Sequence, residues 1–327
     1  MAILVCGGAG YIGSHMTAAL VARGTETVVL DNLCLGHRQA VWPGAKFYEG
    51  DIRDEHITDR VFGENNIEAV ADFAAYAVVA ESVRDPMMYY ENNVFGGMCL
   101  LKAMIKHNVR RIVFSSTAST YGEPTQIPVT EDMPQLPINP YGETKLAFER
   151  TLKWYGPSYG LSHIVLRYFN VAGAHKSGMI GEDHNPETHL IPQIIQAALG
   201  KQPVFKLFGN DYDTPDGTCI RDYIHIDDLI DAHLLALDWL DGGGNSAAYN
   251  LGSGNGFSNK QILDAVMGVT GLDIPVEYAP RRPGDPPVLV ASSEKIRKEL
   301  GWNPTRTNLD AIIGTAWAWH FAHREGY

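Results

Sequence analysis

The sequence predicts an α/β protein: a doubly wound parallel sheet of the Rossmann kind, followed by a smaller mixed α/β C-terminal region. Three observations predict it. Short apolar runs alternate with helix-length stretches through the first half of the chain, the pattern of parallel strands joined by crossover helices. The first run, Ile3-Leu4-Val5, leads straight into Gly7-Gly8-Ala9-Gly10-Tyr11-Ile12-Gly13, and the second, Val28-Val29-Leu30, ends on Asp31. Glycines 8, 10 and 13 satisfy Gly-x-Gly-x-x-Gly, and glycines 7, 10 and 13 satisfy Gly-x-x-Gly-x-x-Gly. Such a turn brings backbone N–H groups and a helix N-terminus up to a pyrophosphate. An acid at the end of the second strand accepts hydrogen bonds from the ribose hydroxyls and repels a 2′-phosphate, so Asp31 favours NAD over NADP.

The strands continue in order. Lys46-Phe47-Tyr48 running to Gly50-Asp51-Ile52 is the third, Ala69 to Ala75 the fourth, Arg111 to Ser116 the fifth and His163 to Leu166 the sixth, ending in Arg167-Tyr168-Phe169-Asn170. Met98, Leu101, Met104 and Ile105 recur at helical spacing between the fourth and fifth; Leu146, Phe148 and Leu152 do so after Tyr141. Both helices also carry apolar residues outside one stripe, which fits cover on two sides, by the sheet and by a second subunit or a loop. Residues 1–170 therefore read as the dinucleotide-binding domain. Beyond them a helix is expected over Ile191 to Leu199. His225-Ile226-Asp227-Asp228 with Leu229 to Leu240 reads as a strand end and helix returning to the first domain, stopped by Gly242-Gly243-Gly244. With Tyr249 to Gly252 as one more strand, the return segments lie near 222–252. Helices follow Ser258 and precede Gly301.

Composition narrows the function. The 327 residues carry a formal charge of −12, which argues against nucleic acid or an anionic membrane as the main partner. The N-terminal apolar run is broken by glycine too early for a signal sequence or a span, so a cytoplasmic location is expected. Cys6, Cys34, Cys99 and Cys219 have neither metal-ligand spacing nor disulfide density. His175, His184 and His189 fit no helical or hairpin ligand pair, and no metal site is expected.

Tyr141-Gly-Glu-Thr-Lys145 places a phenol and an ammonium one helical turn apart, able to face one ligand. An unperturbed tyrosine titrates near pH 10, and a base near neutrality needs a shift of about two or three units, which a nearby cation in a dry site can supply. Lys145 and an oxidised nicotinamide are both positive. Ser115-Ser116-Thr117 lies one strand and loop earlier. Arg221 and Arg282 are fork-shaped donors suited to a diphosphate.

These residues sit in GGAGYIGS, DNLC, GDIRD, FSSTASTYGEP, NPYGETK, LRYFNVAGA, IGEDHNPETHLIP, FGNDYDTPDGTCIRDYIHIDD, YNLGSG and APRRPGD. Over essentially its whole length the chain resembles the extended short-chain dehydrogenase/reductase family, in particular its nucleotide-sugar epimerases. The resemblance implies a bound NAD and interconversion of UDP-glucose and UDP-galactose by transient oxidation at sugar C4. It implies that Tyr141 is the base, Lys145 the ribose-binding lysine and Thr117 the hydroxyl that bonds the sugar O4. Gly7, Gly10, Tyr11, Ile12, Gly13, Asp31, Asn32, Leu33, Cys34, Asp51, Ile52, Phe73, Ala74, Ala75, Asn92, Ser115, Tyr168 and Phe169 match cofactor-lining positions. Asn170, His189, Leu190, Phe208, Arg221, Tyr223, Arg282 and Asp285 match positions that hold the UDP group, in a region spanning 171–327, and Leu289 lies beside the sugar's C2 substituent. A homodimer through two helices of the first domain is also implied.

Two features separate the chain from other branches. Dehydratases follow the threonine with an Asp-Glu pair and decarboxylases keep a Glu; here Ala118 and Ser119 follow Thr117, and neither can act as a base at C5. A sensor that merely binds the same ligands needs none of Thr117, Tyr141 and Lys145. The stretch Asp72 to Ala80 departs from the family, which has His-Phe-Ala and then a Lys or an acid. The polar side chains of that loop are gone, so weaker tuning of the nicotinamide and slower hydride transfer are expected. Leu289 is intermediate between a bulky tyrosine and a small residue, so acceptance of UDP-N-acetylglucosamine is expected.

Overall fold

The computed structural model describes residues 2–282 and 286–327. The chain begins β1 (Ala2–Cys6), α1 (Tyr11–Ala22) and β2 (Glu26–Asp31), continues through β3 (Lys46–Glu49), α2 (Glu55–Glu64) and β4 (Ile67–Asp72), and then enters α3 (Val79–Arg84) and α4 (Pro86–Tyr89). A π-helical segment, Tyr90–Gly96, joins α4 to α5 (Gly97–Lys106); β5 (Arg111–Thr117), α6 (Pro140–Tyr159) and β6 (Ser162–Tyr168) follow. Side-chain caps fix several starts. Asp54 accepts from the backbone of His56 and Ile57 at α2, and Asn139 accepts from Gly142 at α6, where Pro140 takes the first helical position at no hydrogen-bond cost.

The second half adds β7 (Asn170–Ala172), α7 (Leu190–Ala198), β8 (Phe205–Phe208), β9 (Ile220–His225), α8 (Ile226–Asp241) and β10 (Ala247–Leu251). β11 (Gly256–Ser258), α9 (Asn259–Thr270), β12 (Val276–Ala279), β13 (Val288–Leu289), α10 (Glu294–Leu300) and α11 (Leu309–Ala322) complete it. Ser258 and Gln261 form a reciprocal capping box at α9.

Seven parallel strands form the main sheet in the order β10-β6-β5-β4-β1-β2-β3. Order reverses between β1 and β4, and that crevice is where open α/β sheets bind ligands. One face packs Leu4, Val70, Ile112, Leu100, Phe148 and Leu152 under α2, α5 and α6; the other packs Val5, Val113, Ile164, Met16, Leu229 and Trp302 under α1, α8 and the chain beyond α10. Each of these fully buried apolar side chains contributes roughly 1.5–3 kcal/mol.

Two expectations need correction. The strand before α8 does not join the main sheet: β9 pairs with β7, β11 and β13 in a separate four-stranded sheet, while α8 itself packs on the main one. The chain steps from β6 directly into β7, and Asn170↔Tyr223 through Ala172↔His225 is the register that captures β9. The third and fourth strands also end sooner, at Glu49 and Asp72, because the backbone of Gly50 turns to bond Asp31 and that of Phe73 to bond Cys6. Among the described residues, no helix is long and apolar enough to cross a membrane.

Candidate active site

Two glycines make the turn after β1 possible. Gly7 has φ +74°, and a Cβ there would lie 2.8 Å from the Phe73 carbonyl carbon; a Cβ on Gly13 would lie 2.1 Å from the Gly7 carbonyl oxygen. Only the missing side chains let α1 start against the tip of β4 and leave its N-terminus bare for a phosphate. Asp31 is nearly buried, and its carboxylate accepts from Ala9 N (2.9 Å) and Leu33 N (2.8 Å). Burial raises its pKa, and those two N–H donors offset only part of that rise. Leu33 itself takes a left-handed φ of 58° to reach the carboxylate.

Gly7, Gly10, Asp31, Asn32, Cys34, Ile52, Phe73, Ala74, Ala75 and Asn92 line a single cleft over this turn. The sequence assigned all of them to the cofactor. Other expected residues are engaged within the protein. The Asp51 carboxylate is gripped by Arg53 at 2.8 and 2.6 Å and by Asn32 at 2.8 Å, which together hold its pKa down at about 2. The Tyr11 hydroxyl donates to Gly173 O at 2.6 Å, tying the glycine turn to the chain after β7.

At the carboxyl end of β5 the chemistry-bearing groups converge. Thr117 shares a hydrogen bond with the Tyr141 phenol, and its hydroxyl oxygen also accepts from Ser119 N at 3.1 Å. Lys145, 4% exposed, donates to Ser115 O at 2.7 Å and lies 4.8 Å above the Phe114 ring. Burial pulls its pKa down to about 8 against the attraction of Asp72 and Glu149. Burial likewise outweighs Thr117 at Tyr141 and leaves the phenol above its ordinary value, so the protein's own groups do not deliver the expected depression. Tyr141 sits in the first turn of a 20-residue helix, whose positive end favours a phenolate. Ser115 Oγ is hydrogen-bonded to the Tyr168 hydroxyl.

The sequence missed the supports beneath this edge. Arg167 and Glu149, 6% and 7% exposed, make three bonds of 2.6 to 3.2 Å; Ser116 adds 2.5 Å to the carboxylate and Tyr121 accepts from Arg167 at 2.7 Å. Asp72, where the family has histidine, is buried, and burial raises its pKa to about 6. The loop after it, Phe73 to Ala80, carries one polar side chain, Tyr76, and is pinned through its backbone. Asn93 bonds the N–H and C=O of Tyr76 and also Thr144; the Tyr89 hydroxyl bonds both backbone groups of Val78. Only folding brings these partners together, so no short motif marks them.

On the substrate side, registers Asn170↔Tyr223 and Leu289↔Arg221 place all four residues on one face of the small sheet. Tyr223 is buried in the core over α7 and α9, and Asn170 Nδ2 donates to Asp222 O at 3.1 Å. Arg282 stacks over Phe208 with 4.2 Å between guanidinium and ring centroid. Leu190 opens α7; His189 precedes it with Nδ1 turned to Glu182 (3.0 Å) and Glu187 (2.9 Å) rather than into the cleft. Asp285 lies outside the described residues. Asp222, unpredicted, holds the sheet: its carboxylate accepts from Ser253 N and Oγ, Gly254 N and Ala291 N at 2.7 to 3.1 Å.

A glycine turn, an acid at the ribose position and a tyrosine–lysine pair, all on adjoining strand ends, define a dinucleotide-dependent enzyme of the Rossmann class. The comparisons narrow it. A family model for the NAD dependent epimerase/dehydratase family matches residues 3–252. A UDP-glucose 4-epimerase of Streptococcus mutans is 56% identical over 329 residues, spanning 100% of this chain and 99% of its own. A crystal structure of a UDP-glucose 4-epimerase superposes with a TM-score of 0.99 at 54% identity, covering 100% of this chain and 99% of its own. The Bifidobacterium longum UDP-glucose 4-epimerase in complex with NAD+ and UDP gives 0.95 at 38% identity, with 100% of both chains covered. The chain belongs to the NAD dependent epimerase/dehydratase family.

Proposed function

We infer that this protein interconverts UDP-glucose and UDP-galactose, a 4-epimerisation in galactose metabolism, with one NAD held through the whole cycle. The observation that carries the reading is the Thr117–Tyr141–Lys145 group at the end of β5, followed by Ala118 and Ser119 where an eliminating enzyme needs carboxylates. Full-length relatives at 54–56% identity bear the name of that activity.

The residues present fit NAD. The Gly7–Gly13 cradle is one that a single Cβ would fill, and Asp31 stands ready to accept from ribose hydroxyls. Bound there, the cofactor supplies a reversible hydride acceptor. The chain's own residues do the rest. Tyr141 takes the O4 proton directly or through Thr117, and returns it when the opposite face is reduced. Lys145 holds positive charge beside the phenol and a donor toward ribose. Burial holds the phenol above its ordinary value against the Thr117 hydrogen bond; positive charge beside it, from Lys145 and from an oxidised nicotinamide when one is bound, would lower it. The pair Arg221 and Arg282, with Phe208 stacked beneath the latter, is the diphosphate and base clamp.

Incubating purified protein with UDP-galactose, with and without added NAD, and following the sugar signals by NMR tests the reading; a 4-keto-6-deoxy product would overturn it. Leu289, registered beside Arg221, supports a broader range that includes UDP-N-acetylglucosamine. Comparing kcat/KM for plain and acetylated sugars tests that breadth, and complete exclusion of the acetylated one refutes it.

The remaining assignments follow. Residues 1–170 with the return segments hold the cofactor, and 171–327 supply the sugar-nucleotide clamp. Phe95, Met98 and Trp154 project from the region of α5 and α6 with 54%, 42% and 74% of their surface exposed, and a second copy of the chain covers them. Light scattering distinguishes the dimer from a monomer. The four cysteines form no disulfide and three of them are buried, which suits the cytoplasm.

A further inference from the structure

We propose that Glu182, His184, Glu187 and His189 form a binding site for one divalent transition-metal ion, with zinc the best fit. Each offers one donor atom, and the four atoms all lie within 4.8 Å of one another. His184 Nδ1 stands 3.5 Å from Glu182 and 3.4 Å from Glu187; His189 Nδ1 stands 3.0 and 2.9 Å from the same two carboxylates. Zinc bonds of about 2.0–2.1 Å in a tetrahedron place donor atoms about 3.3 Å apart. The two separations to Glu182 Oε1 bracket that edge length, while Glu187 faces His184 with Oε2 and His189 with Oε1. Two imidazoles and two carboxylates are a ligand set that zinc accepts and that calcium and magnesium, which take oxygen donors, do not.

Three further observations point to an occupant. The Glu182 and Glu187 side chains are 5% and 3% exposed, and among the described residues their only cationic partners within 4.0 Å are these two histidines. Two sequestered carboxylates of like sign need two compensating charges, which a dication supplies at one point. His184 Nδ1 is shut off from solvent and makes no hydrogen bond, a buried nitrogen directed at the gap between the two acids. One Glu187 oxygen is already oriented by the backbone N–H groups of Thr188 and His189, both at 2.7 Å, the outer-shell support that positions a ligating carboxylate.

The position gives the ion a role. The four residues span the segment that enters α7, and the His184 ring meets Tyr11 of the glycine turn edge-on at 6.4 Å. A bound ion fastens the segment next to the sugar-nucleotide clamp against the cofactor turn. Its role is to position that segment.

The test uses tag-free holoenzyme dialysed into metal-free buffer. Elemental analysis is expected to find about one zinc per chain, falling below about a tenth in His184→Asn and in Glu187→Gln. Adding Zn2+ at about 100 times its dissociation constant to chelator-treated enzyme raises the melting temperature by about 4 °C. Co2+ in place of zinc gives the visible bands of a four-coordinate site in wild type and none in His184→Asn. Because the Co2+ spectrum and the melting shift are read on wild type, a variant that fails to fold does not block the test. Absence of stoichiometric metal with no Zn2+-induced shift, or undiminished metal in a folded His184→Asn, overturns the proposal in favour of a protonated histidine–glutamate cluster.

Discussion

Replacing Glu149 with glutamine tests whether the catalytic strand end rests on its buried ion pair. Arg167 loses the carboxylate that bonds it at 3.0, 3.2 and 2.6 Å, and its side chain is 7% exposed, so water cannot take over. Burial pulls the guanidinium pKa down and the Glu149 bonds lift it; without them the arginine still stays charged, because its intrinsic pKa lies so far above neutrality. Breaking a buried pair from one side costs about 3–5 kcal/mol. With an unfolding entropy of roughly 2.1 cal/mol/K per residue, a chain of 327 residues loses about 4–7 °C of melting temperature. Circular dichroism melts measure this directly. A double variant, Glu149→Met with Arg167→Met, removes both charges and is expected to recover most of the loss. A Glu149→Gln variant melting within about 1 °C of wild type would refute the reasoning, because the charge would then have been compensated from elsewhere.

Three other outcomes follow from the same geometry. Tyr141→Phe removes the proton acceptor while keeping the ring, and kcat for UDP-galactose should fall by about 10²- to 10⁴-fold with UDP affinity, measured by calorimetry, little changed. Gly13→Ala drives a methyl to 2.1 Å from the Gly7 carbonyl oxygen, so the purified variant should contain little NAD by absorbance and chromatography, whereas retained stoichiometric NAD contradicts the cradle. Asp72→Asn probes a carboxyl whose pKa burial raises from 3.8 to about 6. A raised carboxyl pKa means that folding favours the protonated form, so its stabilisation is present below pH 3.8 and is lost as pH rises through about 6. The stability advantage of the asparagine variant should thus widen between pH 4 and 7 toward about 3 kcal/mol, and a gap independent of pH argues against it.

The features legible in sequence were those whose cause is local. Gly7, Gly13 and Asp31 work through one turn and one strand end, and Tyr141 and Lys145 through one turn of helix, so spacing alone placed them. Alternating apolar runs likewise revealed the main sheet. What escaped notice depends on contacts across the chain. Asp222 holds Ser253 and Ala291, 31 and 69 residues away, and Glu149 meets Arg167 from a different element. β7, β11 and β13 have only two or three residues each, too few to carry a period. Strand β9 was assigned to the wrong sheet because a strand followed by a helix looks alike in either. Glu182, His184, Glu187 and His189 come together through a loop rather than a helix or hairpin, so their spacing did not mark them as a group.

In the proposed reaction, sugar C4 is inverted with its own hydrogen returned and no net redox change. Running the UDP-galactose reaction in D2O and reading the product by NMR tests this directly. The expected product is UDP-glucose with protium at C4 and none of the sugar carbons deuterated. Deuterium at C4 or C5, or a 4-keto-6-deoxy sugar, would contradict it.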